Sequence, residues 1–141
     1  MKIKKVVVIG SGTMGSGIAA QLCNANISVT LLDLKKEIAE KAKKIIFESR
    51  PPLLIDKNKI DNIEVGDIEK DFDVVKKADW VVEAIVERID IKHNLYKKIF
   101  EKRKKDSIIS SNTSTIPLKN SLKHLPSNRY RSNHTNQKPL F

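Results

Sequence analysis

Cysteine is nearly absent from this chain. With Cys23 alone, no internal disulfide can form, and the residue is expected as apolar filler on a helix in a reducing, cytoplasmic compartment. Aromatic residues are also scarce, at 5% of the chain, and they are not interleaved with the basic residues. This removes the stacking platform that a single-stranded nucleic acid needs. No apolar run approaches the roughly 20 residues of a membrane-spanning helix. The run Val6–Ile9 that follows Met1-Lys2-Ile3-Lys4-Lys5 is too short for a signal peptide and enters glycines directly. No group of His, Cys, Asp or Glu has metal-ligand spacing, and there is no nucleophile elbow. Asn112-Thr113-Ser114 and Asn133-His134-Thr135 match a glycosylation triplet, but without a secretion signal they imply nothing. Glycine is limited to five residues, and four of them fall within Gly10–Gly17.

The chain has 141 residues, the size of one ordinary domain with a real core. Its formal charge of +10 raises nucleic acid as a partner. The lysines are spread along the chain, however, and the accompanying excess of Ile and Asn points to compositional bias, so no nucleic-acid or membrane partner is expected. A positive surface would still favour capture of an anionic substrate.

The glycines form Gly10-Ser11-Gly12-Thr13-Met14-Gly15-Ser16-Gly17. Gly10, Gly12 and Gly15 have the spacing G-x-G-x-x-G, placed between the apolar run Val6–Ile9 and the helix-like Ile18-Ala19-Ala20-Gln21-Leu22. Strand, tight turn and helix start are the context in which this motif means dinucleotide binding. Gly10 serves the sharp turn, Gly12 the close approach of a pyrophosphate, and Gly15 the close packing of helix on strand. The helix N-terminus then offers N–H groups and a positive dipole end to the phosphates. Ile27–Leu32 reads as a second strand that ends in Asp33, where a carboxylate accepts hydrogen bonds from an adenosine ribose. The same negative charge opposes a 2′-phosphate, which selects NAD over NADP.

Further along, strands are expected at Lys4–Ile9, Ser28–Leu32, Asn62–Val65 and Ser107–Ser111, and Asp79–Glu87 reads as a buried strand and its exit. Helices are expected at Met14–Asn24, Lys35–Ser49, Phe72–Ala78 and Ile91–Lys102, with Leu53–Asp61 irregular. Alternation of this kind specifies an α/β fold, a doubly wound, mostly parallel sheet with ligands at the carboxyl ends of the strands. Residues 1–126 are expected to form this single domain. Residues 127–141 have neither strand nor helix periodicity and read as an irregular or disordered tail.

Glu83, Glu87, Lys92 and the triplet Asn112-Thr113-Ser114 fall where the cleft should lie. By residue type alone, the glutamates read as a solvated strand exit and the triplet as a polar turn. His93 reads as solvent-facing, and neither His124 nor His134 has a context that demands a catalytic role.

The blocks VVVIGSGTMGSGIAAQL, LLD, DWVVEAIVERIDIKHNLY and SIISSNTSTIPL together resemble the NAD-binding (Rossmann-type) domain of 3-hydroxyacyl-CoA dehydrogenases, from about Lys4 to about Leu125. The resemblance implies NAD as cofactor, an acyl-CoA substrate and a place in fatty-acid β-oxidation. It implies that Gly10, Gly12, Met14, Gly15 and Asp33 contact NAD, that Ile85, Val86 and Glu87 line the nicotinamide side, and that Lys92 lies close by. Ser114 then meets both the nicotinamide region and the substrate hydroxyl, and Ser49 matches a position near the CoA moiety.

The chain departs from the family after the triplet. There the family has a strand ending in H-F-F-N-P, whose histidine is the catalytic base. Here the sequence reads Arg131-Ser132-Asn133-His134-Thr135-Asn136-Gln137-Lys138-Pro139, with the histidine one residue early and the aromatic context missing. The family's orienting glutamate and helical domain are also unmatched. The expectation is a dehydrogenase cofactor domain with little or no activity alone, active if a partner chain completes it. The alternatives are a non-catalytic nucleotide-binding module and a gene remnant.

Overall fold

The computed structural model describes residues 2–85, 89–111 and 130–132, with backbone alone for 89–92 and 130–132. The described residues form six strands: β1 (Lys5–Ile9), β2 (Ser28–Asp33), β3 (Ile63–Asp67), β4 (Trp80–Glu83), β5 (Ile108–Ser111) and β6 (Tyr130–Ser132). The α-helices are α1 (Thr13–Asn24), α2 (Lys36–Glu48) and α3 (Ile89–Lys102), and short 3-10 helices cover Lys57–Asn62 and Phe72–Lys77. All strands pair in parallel in the order β3-β2-β1-β4-β5-β6. This is the expected doubly wound sheet. Chain order reverses between β1 and β4, and a crevice opens at the carboxyl ends of strands flanking such a reversal.

The central strand explains the two-sided core. Val6 and Val8 of β1 pack with Ala19, Cys23, Ala42 and Ile46 of α1 and α2. Val7 and Ile9 face the other way, onto Phe72, Leu95, Tyr96 and Ile99. A strand covered on both faces reads as a continuous apolar run, as Val6–Ile9 does. Cys23 is fully buried in this packing, and burial pushes its thiol pKa up to about 11. At the opposite, amino end, the Asp79 carboxylate accepts hydrogen bonds from the Lys104 ammonium and from the backbone N–H groups of Lys4 and Lys5, the latter at 2.9 and 3.0 Å. One side chain thus ties the starts of β1 and β4 to the α3–β5 turn.

Two segments differ from expectation. Within Leu53–Asp61, Asp56 accepts a hydrogen bond from the N–H of Asn58 and starts the 3-10 helix at Lys57. A capping side chain supplies order there that apolar periodicity does not show. More consequentially, Tyr130–Ser132 is not irregular. It adds β6 to the sheet, with Ile109, Ser110 and Ser111 opposite Tyr130, Arg131 and Ser132. Three residues are too few for an alternation signal, and this strand is specified by the edge of β5. The sheet therefore extends past residue 126, and the remainder of the expected tail lies outside the described residues.

Candidate functional site

The glycine loop connects β1 to α1 at the crevice. Gly10 has φ +105°, and a Cβ there would lie 2.5 Å from the Ala84 carbonyl oxygen, so glycine is required both by conformation and by space. A Cβ on Gly15 would lie 1.8 Å from the Gly10 carbonyl oxygen, which is why α1 can approach the loop only with glycine at this place. Gly12 is different. A Cβ there meets nothing within 4 Å, so the chain itself does not demand glycine, and the open space in front of it is what a pyrophosphate needs. Gly12 is also the N-cap of α1, with no side-chain cap and no acidic residue in the first turn. The first-turn N–H groups have no partner inside the helix, and together with the dipole they suit an anion. Met14, in that turn, is exposed.

Asp33 closes β2 beside this loop. Its Oδ2 accepts from the Ser11 N–H at 2.8 Å and from the Ser11 hydroxyl at 2.5 Å, and its Oδ1 accepts from the Leu34 N–H at 2.7 Å. The Ser16 hydroxyl in turn donates to the Ser11 carbonyl at 3.0 Å. The carboxylate is thus fixed in direction at the lip of the crevice. These residues fit the adenosine and pyrophosphate parts of NAD.

Glu83, expected as a solvated strand exit, is instead completely buried. It ends β4 between Ile9 and Ser111 in the sheet register. Its Oε2 accepts from the Ile85 N–H at 2.9 Å, and its Oε1 accepts from the Ser111 hydroxyl at 2.9 Å and the Tyr96 hydroxyl at 3.2 Å. Residue type alone could not reveal this, because the partners come from positions 2, 13 and 28 residues away.

A cleft of ≈ 410 Å³ gathers Gly10, Ser11, Gly12 and Asp33 with Ala84 and Ile85 from the β4 exit, and Asn94, Leu95 and Lys98 of α3 border it. The structure therefore brings five of the expected cofactor positions to one loop cluster: Gly10, Gly12 and Asp33 in the lining, Gly15 beneath it and Ile85 across from it. Lys92 lies on α3 by its backbone. Ser49 is elsewhere, at the C-terminus of α2, where its hydroxyl donates to the Ile46 carbonyl at 3.2 Å and accepts from the Leu53 N–H at 3.0 Å. His93 is half-buried rather than solvent-facing. Val86, Glu87, Ser114, His124 and His134 lie outside the described residues. A second hollow of ≈ 370 Å³ sits at the amino end of the sheet, around Lys5, Ser28 and Lys77, away from the glycine loop. Among the described residues no group of three or more His, Cys, Asp or Glu could hold a metal ion, and no helix is long and apolar enough to cross a membrane.

Residues 5–133 match the family model of the 3-hydroxyacyl-CoA dehydrogenase NAD binding domain. The chain belongs to this family. Its cofactor is accordingly NAD. The chain is 45% identical over 134 residues to a Rickettsia felis protein named as a fatty acid oxidation complex trifunctional enzyme, covering 90% of this chain and 19% of that protein. It is also 45% identical over 125 residues to a Deinococcus radiodurans protein named as a 3-hydroxyacyl-CoA dehydrogenase, covering 84% of this chain and 36% of that protein. Among solved structures, the 3-hydroxybutyryl-CoA dehydrogenase of Escherichia coli K12 superposes with a TM-score of 0.82 at 25% identity, over 94% of this chain and 29% of that one. The chain thus spans well under half the length of each of these proteins.

Proposed function

We propose that this chain holds NAD(H) across the carboxyl ends of β1, β2 and β4 and serves oxidation of a 3-hydroxyacyl-CoA to the 3-ketoacyl-CoA. NAD, when bound, accepts the hydride of that oxidation. The chain's own residues bind and orient. Gly10 and Gly12 leave the pyrophosphate room, Gly15 lets α1 approach, and Asp33 takes the adenosine ribose. Met14 contacts the cofactor, and Ile85, with Val86, Glu87 and Lys92 following it in sequence, forms the nicotinamide side. Ser114 meets the substrate hydroxyl, and Ser49 stands toward the CoA end. The single observation that carries the cofactor part is the fixed Asp33 carboxylate sharing one cleft with the open space at Gly12.

The sequence after β6 supports a second reading, in which this chain binds NAD(H) without turnover unless a partner chain supplies a proton acceptor. The observation is His134-Thr135-Asn136 in place of the family's histidine with its aromatic neighbours.

Fluorescence titration tests the cofactor assignment. NADH should bind about a hundredfold more tightly than NADPH, because a 2′-phosphate against Asp33 places like charges together. Asp33→Ala should narrow this ratio to about tenfold or less. Equal affinity for the two cofactors in the unaltered chain would refute the assignment.

A further inference from the structure

The fully buried Glu83 has no part in the binding roles above. Among the described residues, donors reach it from three different places: the Ile85 N–H from the β4 exit, the Tyr96 hydroxyl from α3, and the Ser111 hydroxyl from the end of β5. Each place leads to the nicotinamide end of the proposed site. Ala84 and Ile85 line the cleft, and the Ala84 carbonyl is the group that closes against Gly10. The Ala84 N–H donates to the Ile9 carbonyl at 2.8 Å, so the backbone on both sides of Glu83 is held to the glycine-loop strand. Ser111 is the residue immediately before Asn112-Thr113-Ser114. A buried carboxylate is retained only where donors surround it, and here those donors are the segments that must be held in mutual register for a nicotinamide ring to seat.

We infer that Glu83 is a positioning residue for the nicotinamide half of the NAD site, fixing the Ile85 backbone, α3 and the exit of β5 against one another from beneath the cleft. This rests on the NAD-site reading above. The adenosine half is held by a separate set of bonds, those of Asp33, Ser11 and Ser16, and none of them involves Glu83. The two halves should therefore respond differently to a change at Glu83.

The test uses the full 141-residue chain and two ligands, NADH and ADP-ribose, which keeps the adenosine and pyrophosphate but lacks nicotinamide. Glu83→Met keeps the length of the side chain and removes both acceptors. It should weaken NADH about tenfold while ADP-ribose affinity stays within about twofold, the loss expected when buried donors lose their acceptor next to one half of a ligand. Glu83→Gln should restore NADH to within about threefold. Its carbonyl can accept from the Ile85 N–H while its amide donates to the two hydroxyls, which rotate to accept. If Glu83→Met does not fold, the double variant Tyr96→Phe with Ser111→Ala decides, and it must show the same NADH-selective loss. Equal weakening of NADH and ADP-ribose would show a merely structural role and overturn the inference, as would no weakening of either. Failure of the unaltered chain to bind either ligand would instead overturn the NAD-site reading itself, and the inference with it.

Discussion

The three glycines of the loop are under different constraints, and substitution separates them. Gly12→Val should abolish NADH binding and leave the far-ultraviolet circular dichroism and the thermal midpoint close to those of the unaltered chain, since a Cβ there meets nothing within 4 Å. Gly10→Ala should do the reverse in kind, lowering unfolding stability in urea by about 2 kcal/mol or more, because positive φ and a backbone clash act together. Binding that survives in a folded Gly12→Val variant would remove the pyrophosphate from this loop. Motif spacing made all three glycines legible in the sequence. The spacing also assigned Gly10 to the turn, Gly15 to helix packing and Gly12 to the ligand, and the structure adds the groups responsible, the Ala84 carbonyl for Gly10 and the Gly10 carbonyl for Gly15.

At the scale of elements, one acid ties the amino end of the sheet. The Lys104 ammonium, helped by the N–H groups of Lys4 and Lys5, holds the Asp79 pKa at about 2, below its ordinary 3.8. A carboxylate depressed in this way contributes stability that is present above the unfolded value and is lost as pH falls through the folded value. The thermal midpoint should therefore drop between about pH 4 and pH 2, and Asp79→Asn should remove about 1 kcal/mol at neutral pH, after screening of a partly solvated group, and flatten this part of the profile. An unchanged acid profile in Asp79→Asn would assign the acid loss to other carboxylates. The elements joined here were readable because long apolar or amphipathic periods announce them: Val6–Ile9, the stripe of α2 with Ala42 and Ile46, and Leu95 with Ile99 in α3. β6 was not readable. Tyr130-Arg131-Ser132 carries no period, and its strand state comes from hydrogen bonding to β5, a tertiary cause. Glu83 was misread for a related reason, since local sequence gives a residue's type but not the donors that surround it.

For the molecule as a whole, the proposed NAD site is assembled within one sheet, and binding should be separable from turnover. The 141-residue chain should bind NADH yet consume none measurably with acetoacetyl-CoA. A positioned general base contributes about two to four powers of ten, and the segment after β6 lacks the family's histidine context. The finding that β6 ends at Ser132, two residues before His134 in sequence, makes that histidine the one to vary. Steady NADH consumption that vanishes in His134→Ala would sink the prediction and establish a complete proton path in this chain.

The chain has a single tryptophan, Trp80, whose indole N–H donates to the Ser110 hydroxyl at 2.8 Å across β4 and β5. It begins the strand that Glu83 ends, about 10 Å away along the backbone. The molecule therefore carries its own optical donor at a fixed distance from the cleft floor. Light absorbed by that indole should reappear as nicotinamide emission when NADH is seated, with no second tryptophan to blur the signal.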